Sequence, residues 1–133
     1  MKLGNFDFSE FEKLQKRMKN MEKEWPLFME SCIKELGARL LAKTSARTPV
    51  DTNHLRSNWM AGVVNHLPSG GVQIEISNPV EYAKYVEYGH VKRNRVDWVD
   101  GKFMLTISSR ELEEQLPAIL NKKIKQYIDK HMG

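Results

Sequence analysis

Asp51 and His54 stand three residues apart in a polar turn, the nearest this chain comes to an acid–base pair. Residues of these types in such a turn more commonly bond to nearby backbone amides than form a catalytic dyad. Glu87, Asp97 and Asp100 are the carboxylates that could hold a divalent cation. Two or three carboxylates on a loop make a weak site without further oxygen ligands. The four histidines, His54, His66, His90 and His131, lack metal-type spacing. Gly70-Gly71 has no phosphate-binding context, and no serine sits in a strand–elbow–helix setting. Cys32 is the single cysteine, so it forms no internal disulfide and fits a reducing compartment. Inside a helical pattern it reads as a small buried hydrophobe. The expectation is therefore no catalytic residue, no metal and no cofactor.

Two groups of residues are suited to contact instead. Tyr82, Tyr85 and Tyr88 recur every three residues in Asn78-Pro79-Val80-Glu81-Tyr82-Ala83-Lys84-Tyr85-Val86-Glu87-Tyr88-Gly89-His90. Such rings can stack on bases, but more often they fill a core or a subunit interface while the hydroxyl reaches a neighbour. Lys92, Arg93 and Arg95 cluster in a polar stretch with Trp98 close by. A tryptophan in an exposed basic loop is suited to anchoring a partner.

The elements that must position these groups follow from periodicity. Ser9 with Glu12 forms a capping box, and Phe11, Leu14, Met18 and Met21 make one apolar stripe opposite lysines. Pro26 is expected to break or restart that helix. Met29, Cys32, Ile33, Leu36, Leu40 and Leu41 predict a second, longer helix over residues 27–46, with Gly37 facing inward so that another element can approach closely. Pro49 ends it at Thr48, and Asp51, Thr52 and Asn53 turn the chain. Residues 56–67, with Trp59, Ala61 and Val63 on one face, and residues 72–77, with Val72, Ile74 and Ile76 on one face, predict an antiparallel hairpin closed by Pro68-Ser69-Gly70-Gly71.

Residues 80–88 read as a short helix stopped by Gly89, with Tyr82, Tyr85 and Val86 together and Glu81, Lys84 and Glu87 turned elsewhere. Residues 90–102 read as an exposed loop or hairpin, and Phe103-Met104-Leu105 as a strand or extended segment re-entering the core. A last helix spans residues 108–131 through Leu112, Leu116, Ile119, Leu120, Tyr127 and Ile128. Pro117 should kink it or divide it in two. Lys122, Lys123, Lys125 and Lys130 suit the negative end of its dipole.

The fold class is α+β: long amphipathic helices packed on a small antiparallel β-sheet. The length of 133 residues suits a single domain over residues 1–133, with the helix in residues 1–25 peripheral. No apolar run reaches the roughly 20 residues of a membrane span, and residues 1–7 carry no apolar signal region. The net charge of +4 is too mild for a nucleic-acid-binding stripe. A small nucleic-acid-binding protein using the basic first helix and loop stands as the alternative.

Taken in order, Thr48-Pro49-Val50-Asp51-Thr52-x-x-Leu55-Arg56-Ser57, Glu81-Tyr82-Ala83-x-Tyr85-Val86-Glu87-Tyr88-Gly89-His90 and Phe103-Met104-Leu105 resemble a phage tail-component family. Its members are the neck or tail-completion, head–tail joining proteins of long-tailed phages and prophages. The resemblance covers roughly residues 27–130. It departs at Asn53, where the family carries glycine; asparagine tolerates the left-handed conformation that glycine would take. The resemblance implies a non-enzymatic structural virion protein, assembled in the bacterial host cytoplasm. It further implies a ring of six copies joined head to tail, between the head connector and the tail-tube or terminator proteins. Under it, Tyr82, Tyr85 and Tyr88 shape the core or subunit contact. Lys92, Arg93, Arg95 and Trp98 meet a neighbouring protein or the lumen, where DNA passes without sequence reading.

Overall fold

The computed structural model describes residues 9–49 and 53–132, with side chains from Glu12 onward. The side chains of Phe11 and Ser9 of the predicted stripe and capping box, and Val50, Asp51 and Thr52 of the turn, lie outside that description.

One helix, α1 (Ser9–Arg47), runs where two were expected. Pro26 lies inside it without ending it. A proline removes one helical hydrogen bond and crowds the preceding turn, at a cost of about 3 kcal/mol. Packing at that level offsets the cost. Tyr127, from the last helix, stacks on Phe28 with centroids 4.3 Å apart and meets Trp25 edge-on at 5.6 Å. Its hydroxyl donates to the Met21 carbonyl, one turn before the proline.

The helix ends where expected, before Thr48 and Pro49. The buried Thr48 hydroxyl donates to the Thr44 carbonyl at 2.8 Å and accepts from the Trp59 indole N–H at 2.8 Å. A single helical turn, α2 (Asn53–Arg56), follows. Asn53 opens this turn in place of the expected left-handed residue: among the described non-glycine residues, positive φ occurs at Arg95 and Phe103. Leu55 is fully buried beneath it.

The hairpin forms, but as four two-residue strands: β1 (Met60–Ala61), β2 (Asn65–His66), β3 (Val72–Gln73) and β4 (Ile76–Ser77). Met60 pairs with Ser77 and Ala61 with Ile76, whereas Asn65 pairs with Gln73 and His66 with Val72. Residues 62–64 therefore face only residues 74–75. The extra residue is a β-bulge, which interrupts the ladder and bends the strand. The single face expected for Trp59, Ala61 and Val63 is lost as a result, and Val63 is exposed. The opposing strand keeps its alternation. Ile74 sits against Gly37, 3.1 Å from where a Cβ would stand, so the inward glycine admits the hairpin as its position predicted.

Beyond Asn78 come α3 (Ala83–Tyr88), then β5 (Gly89–Val91) and β6 (Trp98–Asp100), an antiparallel hairpin with His90 opposite Val99. The last helix, α4 (Met104–Met132), begins four residues before its predicted start and continues through Pro117 as one helix. Met104 is fully buried, but as the first helical residue and not as part of a strand. Its start is explained by Glu87. This buried carboxylate accepts from the Leu105 and Thr106 amides at 2.9 Å each and from the Thr106 hydroxyl at 2.7 Å. These amides belong to the orphan donors of a first helical turn, and the anion opposes the positive end of the helix dipole. Glu87 was expected to turn away from its neighbours; it is instead the N-terminal cap of a helix 17 residues downstream.

Antiparallel packing of α1 on α4 dominates the molecule. Glu111 bridges Lys43 and Arg47 at one end, Lys123 meets Glu35 midway, and His131 approaches Glu24 to 3.0 Å at the other. The β1–β4 hairpin lies against α1.

Two stability predictions follow from these contacts. Glu87→Ala leaves buried amides unpaired and should cost about 2–4 kcal/mol in urea unfolding, with Glu87→Gln losing roughly half as much. Tyr127→Phe should cost about 1 kcal/mol at neutral pH. Burial, then the charge of Glu24, pushes the Tyr127 phenol up from its ordinary value of 10.0. The folded chain thus holds a proton that the unfolded chain releases above about pH 10. That contribution is full below pH 10 and lost above it; the phenylalanine variant should show a shallower alkaline decline. Equal alkaline slopes for the two proteins would contradict this.

Candidate functional site

Two of the three sequence segments that bear the family resemblance, the turn and the tyrosine segment, meet in space. The Asn78 side-chain amide donates to the Leu55 carbonyl at 2.8 Å, and its oxygen accepts from the Val80 amide at 3.0 Å. The His54 and Tyr82 rings lie 6.5 Å apart. This corner fixes α3, and α3 fixes both Glu87 and the tyrosines. Gly89 then turns the chain with φ of 90°, packed so closely that a Cβ would lie 2.7 Å from the Trp98 ring and 2.6 Å from the Val99 carbonyl. Only glycine meets both demands.

The tyrosines do not fill the core. Tyr82, Tyr85 and Tyr88 are 39%, 48% and 62% exposed. Tyr88 meets Phe103 edge-on at 6.4 Å and Tyr85 meets His90 at 6.2 Å. Val91, Trp98 and Phe103 are also exposed, so aromatic and apolar patches lie open at the α3–β5–β6 end. Patches of this kind mark contact surfaces.

Lys92, Arg93 and Arg95 crown the β5–β6 turn, all exposed. The turn is built by its backbone and by Asn94. Lys92 N–H donates to the Asp97 carbonyl and Arg95 N–H to the Lys92 carbonyl, both at 2.8 Å. The Asn94 side chain binds the Val96 and Asp97 amides and the Asp97 carboxylate. The basic side chains are thus free of the turn's own bonding, and Trp98 stands on β6 below them.

The carboxylates considered for a metal are not gathered. Glu87 is committed to α4, and Asp97 is held by Asn94. No cluster of three or more metal-ligating side chains occurs among the described residues. Cys32 is buried, and burial pushes its thiol up, partly offset by nearby Lys123; the reactive thiolate is disfavoured.

A feature the sequence reading took for core is an open apolar trough. Trp25, Phe28, Met29, Cys32, Ile33 and Leu36 from α1 line it with Val72, Leu116, Leu120 and Ile124. It continues past Gly37 and Leu40 between Ile74, Ile76, Leu112 and Glu113. Among the described residues, the buried apolar side chains are Cys32, Leu55, Met104 and Tyr127. A compact monomer of 15.5 kDa exposes roughly 7,200 Å²; this chain exposes 10,229 Å². Its stripes are apolar as predicted, yet much of their area faces outward. Among the described residues no helix is long and apolar enough to cross a membrane.

Residues 12–89 match the family described as "Bacteriophage HK97-gp10, putative tail-component". The match spans α1, the corner, the bulged hairpin and the tyrosine helix, and it stops at Gly89. No curated protein and no solved structure matches the chain. With more than half of its length matched, the chain belongs to this HK97 gp10-like family of phage tail components.

Proposed function

We propose that this protein is a non-enzymatic structural subunit of the virion that acts in tail completion and head–tail joining, as one single-domain member of a ring of six copies. The observation that carries the reading is the apolar trough along α1, together with the large apolar side chains left exposed at the α3–β5–β6 end, in a chain of this family. An isolated chain would not leave a trough and an aromatic patch open to water together, whereas a subunit covered on two sides has use for both. Under this reading the neighbours beyond the ring are the head-connector and the tail-tube or terminator proteins. Assembly takes place in the host cytoplasm, and no membrane is involved.

Tyr82, Tyr85 and Tyr88 then serve subunit contact. Lys92, Arg93, Arg95 and Trp98 contact a partner protein or DNA in the lumen. Three cations on one turn gain from phosphate proximity without reading sequence. The turn can be tested without disturbing the fold, because among the described residues no side-chain bond holds these cations. Removing residues 92–99 would instead take most of β6 with it.

Lys92→Ala/Arg93→Ala/Arg95→Ala should fold with the wild-type circular dichroism spectrum and unfolding midpoint. In phage complementation it should lower the yield of joined particles at least tenfold, with unjoined heads and tails accumulating in electron micrographs. Normal yields would remove the turn from the function. Retention of the wild-type chain on duplex DNA at low salt, lost in this variant, would assign the turn to the lumen; retention unchanged in the variant would refute that assignment.

A further inference from the structure

The first helix extends beyond the helix that supports it. Tyr127 and His131, near the end of α4, reach α1 at Met21 and Glu24. Residues 12–20 of α1 are all exposed. Residues 12–20 therefore make a helical arm about 14 Å long at 1.5 Å per residue. Leu14 and Met18 lie on one face at the i, i+4 spacing of a helix that docks in a groove, and Met21 stands at the arm's base beside Tyr127. Lys13, Lys16, Arg17, Lys19 and Lys23 outnumber Glu12 and Glu22 around them.

The apolar trough matches such an arm. It follows α1 from Trp25 to Leu40, about 22 Å along the helix axis. Its charged lining residue is an acid, Glu113, which has no ion-pair partner among the described residues. The two surfaces differ, so an arm placed in the trough of another copy leaves a trough and an arm open for the next. That is a head-to-tail contact.

We infer that the α1 arm of one copy lies in the α1–α4–hairpin trough of the next, with Leu14 and Met18 inward and its lysines toward Glu113. The inference rests on the ring reading and gives it a subunit joint made by helices, separate from the basic turn.

Light scattering on purified chains tests it. The wild type should assemble beyond a dimer as concentration rises. Leu14→Asp/Met18→Asp alters exposed side chains and should stay monomeric with an unchanged circular dichroism spectrum. Leu116→Lys should do the same through the trough; if it unfolds, Glu113→Lys replaces it and should weaken assembly at least tenfold. An equimolar mixture of arm and trough variants retains one good arm and one good trough, and should give a one-to-one pair that grows no further. An arm variant that assembles like the wild type, or a mixture without pairs, overturns the joint while leaving the ring reading standing. A wild type that stays monomeric at its highest soluble concentration also overturns it, and the tail-joining role is then judged by the complementation experiment alone.

Discussion

The carboxylate of Glu87 on the first turn of α4 is the contact through which the two halves of this chain agree on one arrangement. It sits on a short helix set by the Leu55–Asn78 corner, and it receives two amides and a hydroxyl from a helix of 29 residues. Those donors are orphaned in any helix, and an uncompensated carboxylate at this depth would be costly. Each therefore satisfies the other only when α3 and α4 are correctly placed. The main chain reinforces the joint: Lys102 and Phe103 amides donate to the Val86 and Glu87 carbonyls at 2.8 and 3.0 Å. Gly89 and Gly101 make the approach sterically feasible, since each would clash with the other's segment if it carried a Cβ.

From this joint the rest is oriented. α4 is aimed back along α1, and its far end delivers Tyr127 to the level of Pro26. The aromatic contact there lets α1 continue through a residue that would otherwise end it. The hairpin closes on Gly37 from the side, with Ile74 as the inserted side chain. What this scaffold leaves open is as consistent as what it closes. The aromatic patch, the basic turn and the trough occupy separate parts of the surface, and polar capping and ion pairs hold the frame between them. Stability and contact are assigned to different residues, which suits a subunit whose apolar area is shared with neighbours.

Much of this was legible in the chain. Periodicity identified the apolar stripes of α1 and α4, the alternation of Val72, Ile74 and Ile76, the glycine turn at residues 68–71 and the end of α1 before Pro49. The order of the turn and tyrosine segments pointed to the phage tail-component family. The errors have a common origin in tertiary contact. Pro26 was read as a break, and Pro117 as a kink or a division, because local sequence carries no record of the helix packed alongside. The bulge at residues 62–64 was invisible because both strands alternate acceptably by themselves. Glu87 was read only as turned away from the tyrosines, or as a weak cation ligand, because its partners lie 18 and 19 residues away.

The sequence by itself therefore determined the residue types along each face: which stripes are apolar, where proline and glycine end an element, and where the cations and aromatics concentrate. Those properties depend on near neighbours, and the period of a helix or strand is enough to expose them. Only the tertiary structure decided which apolar stripe is covered and which remains open, and which carboxylate is a cap. Burial is a relation between distant segments, and a stripe meant for another surface carries the same pattern as one meant for its own core.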